Sequence, residues 1–279
     1  MSLEQDLQAA IAAQNALTQE VAGKVALINA SVAEARRAIL ENVKTVYVSP
    51  LGVDTASGDA GAPVKTIVEA CKRAPLAGLL SIILDNSGTT GASTIFKVDS
   101  SINLSFRNII ISALNPTGTK PTIRMMPYVD SESTKIYRYW VNIGGSNLTF
   151  ENTIFETASA PVGNMLPLDT GGTLIGSGRG GCFVNFAPGS ELHLGDFSLF
   201  RPGGGVEFPT IGFRQASIKQ IGASNPRIIW DTQAVRLQGS VVTLQGGLTW
   251  ATDPAAPTDL IGGVRWKNGV PTNVLTNLF

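Results

Sequence analysis

The sequence has 279 residues, of which 43% are hydrophobic and only 15% are charged. Its 21 lysines and arginines balance its 21 aspartates and glutamates, so the chain lacks the excess of positive charge that favours nucleic acid or an anionic membrane surface. The hydrophobic content also excludes intrinsic disorder, which requires few apolar residues and a high net charge. With 30 glycines, the composition is typical of a solenoid with many tight turns or of a chain that buries surface in an oligomer.

The sequence carries no sign of secretion or membrane insertion. Glu4 and Asp6 stand where a secretion signal has basic residues, and no apolar stretch follows them. The longest apolar run, residues 76–84, is far shorter than the ~20 residues that a membrane span needs. We therefore expect synthesis in the cytoplasm. Cys71 and Cys182 lie far apart and are interpreted as small buried hydrophobic residues, not as a disulfide or metal ligands.

Residues 1–43 predict a long helix that self-associates as a coiled coil. Apolar or small residues recur at alternating steps of three and four, as heptad positions do. Gln14 interrupts this stripe and is the kind of residue that fixes register, while two steps of four after Leu17 predict a stutter. The alternative is a single helix packed on its own domain, although one narrow stripe would bury little. The predicted oligomer seam consists of Leu3, Leu7, Ala10, Leu17, Val21, Val25, Ile28, Val32 and Ile39.

Residues 44–80 predict an opening strand, a loop and a short capping helix. The strand is indicated by the β-branched and aromatic residues at 46–48, and a stretch rich in Gly, Asp, Ser and Ala follows it. Thr66 and Glu69 have the spacing of a capping box, which predicts a helix that runs through Ala74. Because this helix is apolar over most of its surface, we expect it to cover the open end of the strands that follow.

Residues 81–252 predict short strands separated by turns. Three segments that start at Val141, Val184 and Val235 share two apolar-x-apolar strands around a corner that ends in Gly-Ser. Their spacings of about 43 and about 51 residues fit two solenoid coils of ~20 to 25 residues better than one. An antiparallel β-sandwich is the alternative. The predicted fold is all-β, with a parallel β-helix over 81–252 and a C-terminal cap or tail over 253–279.

The order of strand, loop, capping helix and coils also occurs in a known protein family. The residues concerned are 46–50, Gly52, Asp54, Gly58, Pro63, 65–70, 147–152 and 191–196. They resemble the opening and the coils of pectate-lyase-like β-helices, which are found in bacteriophage tailspikes and tail fibres. The resemblance implies a right-handed parallel β-helix, and the coiled coil before it implies a homotrimer. The same fold carries enzymes, adhesins and inert spacers, so the resemblance specifies the fold better than the function.

The resemblance implies a non-enzymatic tail-fibre or baseplate-spike subunit of a phage, located in the virion tail after synthesis in the host cytoplasm. The implied partners are further copies of the chain, other tail or baseplate proteins and host cell-surface polysaccharide, with no nucleic acid, cofactor or metal. The chain is short and lacks the long insertions that build a saccharide groove in tailspike depolymerases. A small polysaccharide depolymerase, either a hydrolase or a lyase, is the main alternative, followed by a bacterial adhesin or a part of a tail-like bacteriocin.

A depolymerase would need carboxylates placed across the scissile bond. Glycosidases use a pair about 5 to 10 Å apart, and adjacent coils could bring two such side chains together. Carboxylates at the corners of a solenoid also serve as turn formers, so catalysis is the less favoured interpretation. The candidates near predicted corners are Glu151, Glu156, Asp196 and Asp231.

The remaining motifs favour structural roles. His193 alternates with two leucines, which predicts an exposed histidine on the outer wall and no triad or metal site. The glycine-rich residues 176–181 lack the Gly-Lys-Ser/Thr ending of a phosphate loop and predict a flexible corner. Tyr139 and Trp140 belong to an aromatic cluster that could stack on a sugar ring or on a protein partner. The alternative for this cluster is simple alternation of its side chains between the two faces of a wall.

Overall fold

The computed structural model describes residues 2–75, 78–87, 94–129, 135–139, 141–142, 144–163, 175–176, 181–201, 210–222, 227–229 and 235–278. The chain divides into two compact units, 1–43 and 44–279. Helix α1, Leu3–Asn42, makes up the first unit. The rest of the described chain forms 22 short strands and one short helix, α2, at Ile67–Lys72.

The strands are numbered in chain order. They are β1 (Val43–Val48), β2 (Leu79–Leu84), β3 (Ile95–Val98), β4 (Ile102–Asn103), β5 (Asn108–Ala113), β6 (Thr122–Met125), β7 (Pro127–Tyr128), β8 (Tyr137–Arg138), β9 (Val141–Asn142), β10 (Asn147–Glu151), β11 (Ile154–Glu156), β12 (Ile175–Gly176), β13 (Phe183–Phe186), β14 (Glu191–Leu194), β15 (Phe200–Arg201), β16 (Thr210–Arg214), β17 (Ser217–Gln220), β18 (Val235–Ser240), β19 (Thr243–Leu244), β20 (Trp266–Lys267), β21 (Val270–Pro271) and β22 (Val274–Thr276).

Three sheets of parallel strands organise the second unit. The largest has eight strands in the order β1-β2-β5-β10-β13-β16-β18-β22, the second has six in the order β3-β6-β11-β14-β17-β19, and the third has four in the order β4-β9-β12-β15. Leu148 of β10, for example, pairs in parallel with Ile109 of β5 and Val184 of β13. The chain visits the sheets in turn and returns each time to a neighbouring strand, a topology that is consistent with a parallel β-solenoid. An antiparallel sandwich does not account for these pairings.

The structure does not align all three copies of the sequence repeat: the copy that begins at Val141 starts one strand earlier than the other two. Val184 and Val235 lie in the eight-stranded sheet with β16 between their strands, as two coils require, but the register places Leu237 and not Val235 level with Val184. Val141, however, lies in β9 of the four-stranded sheet, and Leu148 is the residue that pairs with Val184. The alignment of Val141 with Val184 was therefore wrong. The segments around Val141, Leu148 and Val184 all alternate apolar and polar residues, so the pattern does not tell which sheet a strand joins.

An aromatic stack runs through the interior along successive turns. The ring of Phe186 lies 5.2 Å from that of Phe150 and 5.1 Å from that of Phe213, with planes only 20° and 6° apart. Trp250 continues the stack at 5.8 Å from Phe213. Phe150, Phe186 and Phe213 are completely buried, so each ring contributes a large apolar area to the core and fixes the spacing of its neighbours.

Helix α2 packs against β2 and β3, where the stack of strands begins. Ile67 and Cys71 face inward and line an apolar void of about 20 Å³ together with side chains of several strands. The helix thus covers the core at this point, as its apolar composition predicts. Both cysteines are buried thiols, and burial raises the pKa of Cys71 to about 12, which agrees with their interpretation as small core residues.

The predicted capping box of α2 is correct in its first half. The Thr66 hydroxyl accepts a hydrogen bond from the Glu69 backbone N–H at 3.1 Å. In a complete capping box, the Glu69 side chain would accept the backbone N–H of Thr66. Here Asp54 Oδ1 accepts that N–H instead, at 2.8 Å. Glu69 instead lies 3.5 Å from Arg73, and the helix ends at Lys72 instead of Ala74.

The corner between the eight-stranded and six-stranded sheets repeats a left-handed backbone conformation. Asn152, Gly189, Gln215 and Val241 occupy this corner in four consecutive turns, with φ of 50°, 80°, 46° and 54°. Glycine and asparagine adopt this conformation readily, whereas a β-branched residue does so only with strain. Val241 is 76% exposed, so buried packing does not compensate for its strain.

We expect Val241→Asn to raise the free energy of unfolding by about 1 kcal/mol, because asparagine tolerates the left-handed region that valine does not. Urea and thermal denaturation followed by circular dichroism measure the change. Val241→Ala is the matched control, since it removes the branch but keeps a Cβ, and it should recover a smaller part of the gain. An unchanged or lowered stability of the asparagine variant would show that Val241 is not strained.

The last residues of the chain pair with the strand β18. Val274 of β22 is buried and lies beside Val235. Further along, the Asn277 side chain imitates a strand residue, because it accepts the Gly239 N–H and donates to the Gly239 carbonyl, both at 2.9 Å. The C-terminal segment therefore satisfies backbone groups of β18 that would otherwise lie at an open edge.

Candidate functional site

The predicted seam of α1 is exposed in the single chain. Its large apolar side chains are between 49% exposed at Val25 and 88% exposed at Leu3, and Ala10 is exposed as well. The side chain of Ile39 lies outside the described residues. Helix formation over this segment agrees with the heptad pattern, whereas association of the helix with other copies stays a prediction. Exposed apolar patches larger than single scattered residues are typical of interaction sites.

The three candidate carboxylates that the structure describes occupy different positions in the fold. Glu151 ends β10 in the eight-stranded sheet, where it pairs with Ser112. Asp196 follows β14, and its Oδ2 accepts the backbone N–H of Ala160 at 2.7 Å, as a turn-forming carboxylate does. Asp231 lies outside the described residues. Glu156 of β11 belongs to the six-stranded sheet and is the candidate that joins other charged side chains.

A row of charged and polar side chains crosses the six-stranded sheet. The parallel register places one such residue on each of five neighbouring strands, and their side chains share one face of the sheet. Glu191 and Lys120 contact this row from nearby positions. The charged row consists of Lys97, Arg124, Glu156, His193 and Lys219.

Both glutamates of this region contact cations. Arg124 Nη2 donates to Glu156 Oε2 at 3.1 Å, and its Nε lies 2.6 Å from Oε1 without hydrogen-bond alignment. Lys120 Nζ donates to Glu191 Oε1 at 2.7 Å, and His193 Nε2 lies 2.9 Å from Glu191 Oε2. Sequence reasoning singled out Glu156 but missed Glu191, whose lysine partner is 71 residues away in the chain.

The electrostatics around Glu191 oppose acid catalysis by its carboxyl group. Burial on its own would raise the pKa of Glu191, but the hydrogen bonds and charges of Lys120 and His193 outweigh burial and lower this pKa. Burial lowers the pKa of His193, and the hydrogen bond to Glu191 opposes this shift only in part. A glycosidase needs a carboxyl group whose pKa is raised so that it can donate a proton. The charged row therefore fits a structural ladder better than a catalytic pair.

The prediction of an exposed His193 was wrong. Its side chain does alternate with the inward-facing Leu192 and Leu194, but only 7% of the residue is exposed. His193 sits in the middle of a sheet, where the neighbouring strands place Glu156 and Lys219 about 4.8 Å away on its two sides. Long side chains at these distances shield an outward-facing residue from water.

A groove of about 480 Å³ lies on the outer face of the eight-stranded sheet near the end of the chain. Asn185, Gly212 and Gln238 stand side by side on β13, β16 and β18 and form its floor. Gly212 lets the Asn185 amide and the Phe183 ring pack closely over β16, because a Cβ there would lie 2.9 Å from Asn185 Oδ1 and 3.3 Å from the Phe183 ring. A glycine in the middle of a strand is the sequence signal that could have revealed this feature.

Two arginines line the groove, and none of its described lining residues is a carboxylate. Arg214 and Arg236 occupy exposed positions on β16 and β18. Arg236 Nη2 and Nε lie 2.7 and 2.9 Å from the side-chain oxygen of Gln238, once that amide is oriented to accept. Within the described part of the chain, Arg214 has no ion-pair partner. The groove is therefore positively charged, although most of its lining surface is apolar.

No protein-family model, curated protein or solved structure matches this chain. None of the described helices is long and apolar enough to cross a membrane. Among the described residues, no three or more His, Cys, Asp and Glu side chains lie close enough together to hold a metal ion. A function must therefore be inferred from the surfaces described above.

The aromatic cluster named from the sequence is described only in part. The Tyr139 ring stacks on Tyr128 with centroids 4.9 Å apart and planes at 29°, and it packs against the core. Trp140 lies outside the described residues, as do residues 177–180 of the glycine-rich segment. One face of the Tyr139 ring is thus already occupied within the chain, which leaves Tyr139 less suited to stacking on a ligand.

Proposed function

We propose that the chain is a structural subunit of a phage tail fibre or baseplate spike. In this proposal α1 forms a coiled coil of three copies, and the parallel strands form a right-handed parallel β-helix that contributes to contact with the host surface. Other tail or baseplate proteins of the virion are its further partners. The observation that carries the proposal is the exposed heptad stripe of α1, in the same chain as a stack of parallel strands.

Self-association explains the stripe better than a solitary helix does. At ~1.5 Å per residue, α1 would be a rod of about 60 Å. The exposed pair of Glu20 and Lys24, 2.8 Å apart, belongs to a class that contributes only ~0.3–0.5 kcal/mol. Burying one leucine, isoleucine or valine of the seam contributes about 1.5–3 kcal/mol, so partner helices offer far more stabilisation than local contacts.

The strand unit suits a rigid, non-catalytic part. Its parallel ladders run through up to eight successive strands, and the aromatic stack ties the turns together internally. A solenoid in which each turn contacts its neighbours forms an elongated element. The ion pairs of Glu156 in the charged row and of Glu191 beside it do not favour the alternative of a polysaccharide depolymerase. Release of reducing ends or unsaturated sugars from host capsule or lipopolysaccharide would support that alternative.

Light scattering of the full chain at several concentrations tests the proposal. We expect a stable mass near three times 29.3 kDa that does not fall on dilution. A monomer at every concentration would remove the role assigned to α1 and contradict the fibre proposal. A mass near twice that of the chain would retain self-association but contradict the trimer.

A further inference from the structure

We propose that the groove on the eight-stranded sheet binds an acidic oligosaccharide, a chain of sugar rings that carry carboxylate groups. The assignment of this ligand to the host surface rests on the proposed function, whereas the binding itself is a property of the groove. Its volume of about 480 Å³ falls within the range of ~300–1,000 Å³ that is usual for ligand sites.

The charge of the groove favours a ligand with several negative groups. Arg214 is aligned with Ser240 and Arg236 with Thr210, so the two arginines lie on neighbouring strands and four residues apart along them. At ~3.3 Å per residue and ~4.8 Å between strands, their Cα atoms are about 14 Å apart. Guanidinium groups bind carboxylates in a bidentate manner, and this separation suits charges repeated along a chain better than one small anion.

The floor of the groove favours sugar rings between those charges. The Asn185 amide offers both donors and an acceptor, and the Gln238 amide, whose oxygen accepts from Arg236, offers donors. Both amides match sugar hydroxyl groups, which donate and accept. The half-buried Phe183 ring packs close to Gly212 and supplies an apolar face. A ring with hydroxyl groups at its rim and C–H groups on its face fits both features.

The backbone of the groove disfavours an extended peptide. Peptides that bind to sheets commonly add a strand to a free edge. Strand β18 is paired on one side with β16 and on the other with β22, and the Asn277 amide takes both backbone groups of Gly239. Recognition in the groove must therefore use side chains, which here are two cations, the amides of Asn185 and Gln238, and an aromatic ring.

Isothermal titration calorimetry of the full chain tests this inference. The probes are a panel of uronate- and sialate-containing oligosaccharides, the carboxyl-reduced counterpart of each, and a poly-glutamate peptide of matched charge. We expect at least one acidic oligosaccharide to bind at least 10-fold more tightly than its reduced counterpart and than the peptide. Binding of no acidic member, or equal binding of the reduced sugar or the peptide, would overturn the inference.

Variants connect that binding to the groove. Arg214→Gln with Arg236→Gln should weaken binding at least 10-fold, and Phe183→Ala should weaken it several-fold. Lys65→Gln with Lys97→Gln is the matched control, because it removes two exposed cations elsewhere and should leave the affinity unchanged. Equal losses in the control and the arginine variant would place the binding outside the groove. Thermal melting shows that each variant is folded.

Light scattering on the same samples separates this inference from the fibre proposal. A trimer that binds no acidic sugar would overturn the ligand assignment and keep the fibre proposal. A monomer that binds an acidic sugar through the two arginines would overturn the fibre proposal and keep the ligand assignment.

Discussion

Phe186→Ala is expected to lower the free energy of unfolding by about 3–5 kcal/mol. Phe186 is fully buried, and it lies between Phe150 and Phe213 with nearly parallel rings on both sides. Alanine would leave a cavity between neighbouring turns. The backbone hydrogen bonds between β10, β13 and β16 fix the spacing of these turns, so the interior can relax only partly. Urea denaturation followed by far-ultraviolet circular dichroism and by tryptophan fluorescence gives the change.

Phe183→Ala is the matched control for this prediction, because Phe183 lies on the same strand but faces the groove. It is only half-buried, so we expect a loss of about 1 kcal/mol or less. Similar losses for both variants would show that the aromatic stack contributes no more than surface packing does. A loss confined to Phe186 would support a core held together by contacts between successive turns.

Local features of the fold were predictable because they depend on neighbouring residues. The heptad stripe predicted α1, and Thr66 with Glu69 predicted the start of α2, since both patterns act within a few residues. The alternation of apolar residues also predicted inward-facing positions such as Leu148 and Val184. Assignment of a strand to a sheet was not predictable, as Val141 shows, because it depends on the lengths of all the connections before it.

The surfaces of the second unit were harder to predict because they combine residues from different turns. Glu156 was singled out, but its contact with Arg124 follows from the register of β6 and β11, which no local pattern fixes. The burial of His193 likewise follows from the register of β11, β14 and β17, which places Glu156 and Lys219 on its two sides. The groove depends on Gly212, whose missing side chain matters only because Asn185 and Gln238 stand on either side of it.

Val25→Asp combined with Ile28→Asp is expected to convert the oligomer to monomers, with a threefold fall in mass by light scattering. Each substitution removes about 1.5–3 kcal/mol of apolar burial per copy and places a carboxylate in the seam, where it would have to be desolvated. In the proposed trimer this loss of stabilisation occurs in all three copies, so we expect the helices to separate. The helical part of the circular dichroism signal should also fall, because a long helix without partners loses the packing that stabilises it.

The control for the seam variant carries the same change in charge on the opposite face of α1. Leu27→Asp combined with Ala30→Asp should leave the mass unchanged, since both residues are exposed and lie away from the stripe. Dissociation of both variants would mean that charge on any face of α1 disrupts the assembly. If the seam variant kept its oligomeric mass, the contacts between copies would have to lie in the strand unit, and the exposed stripe would then be free to bind another protein of the assembly.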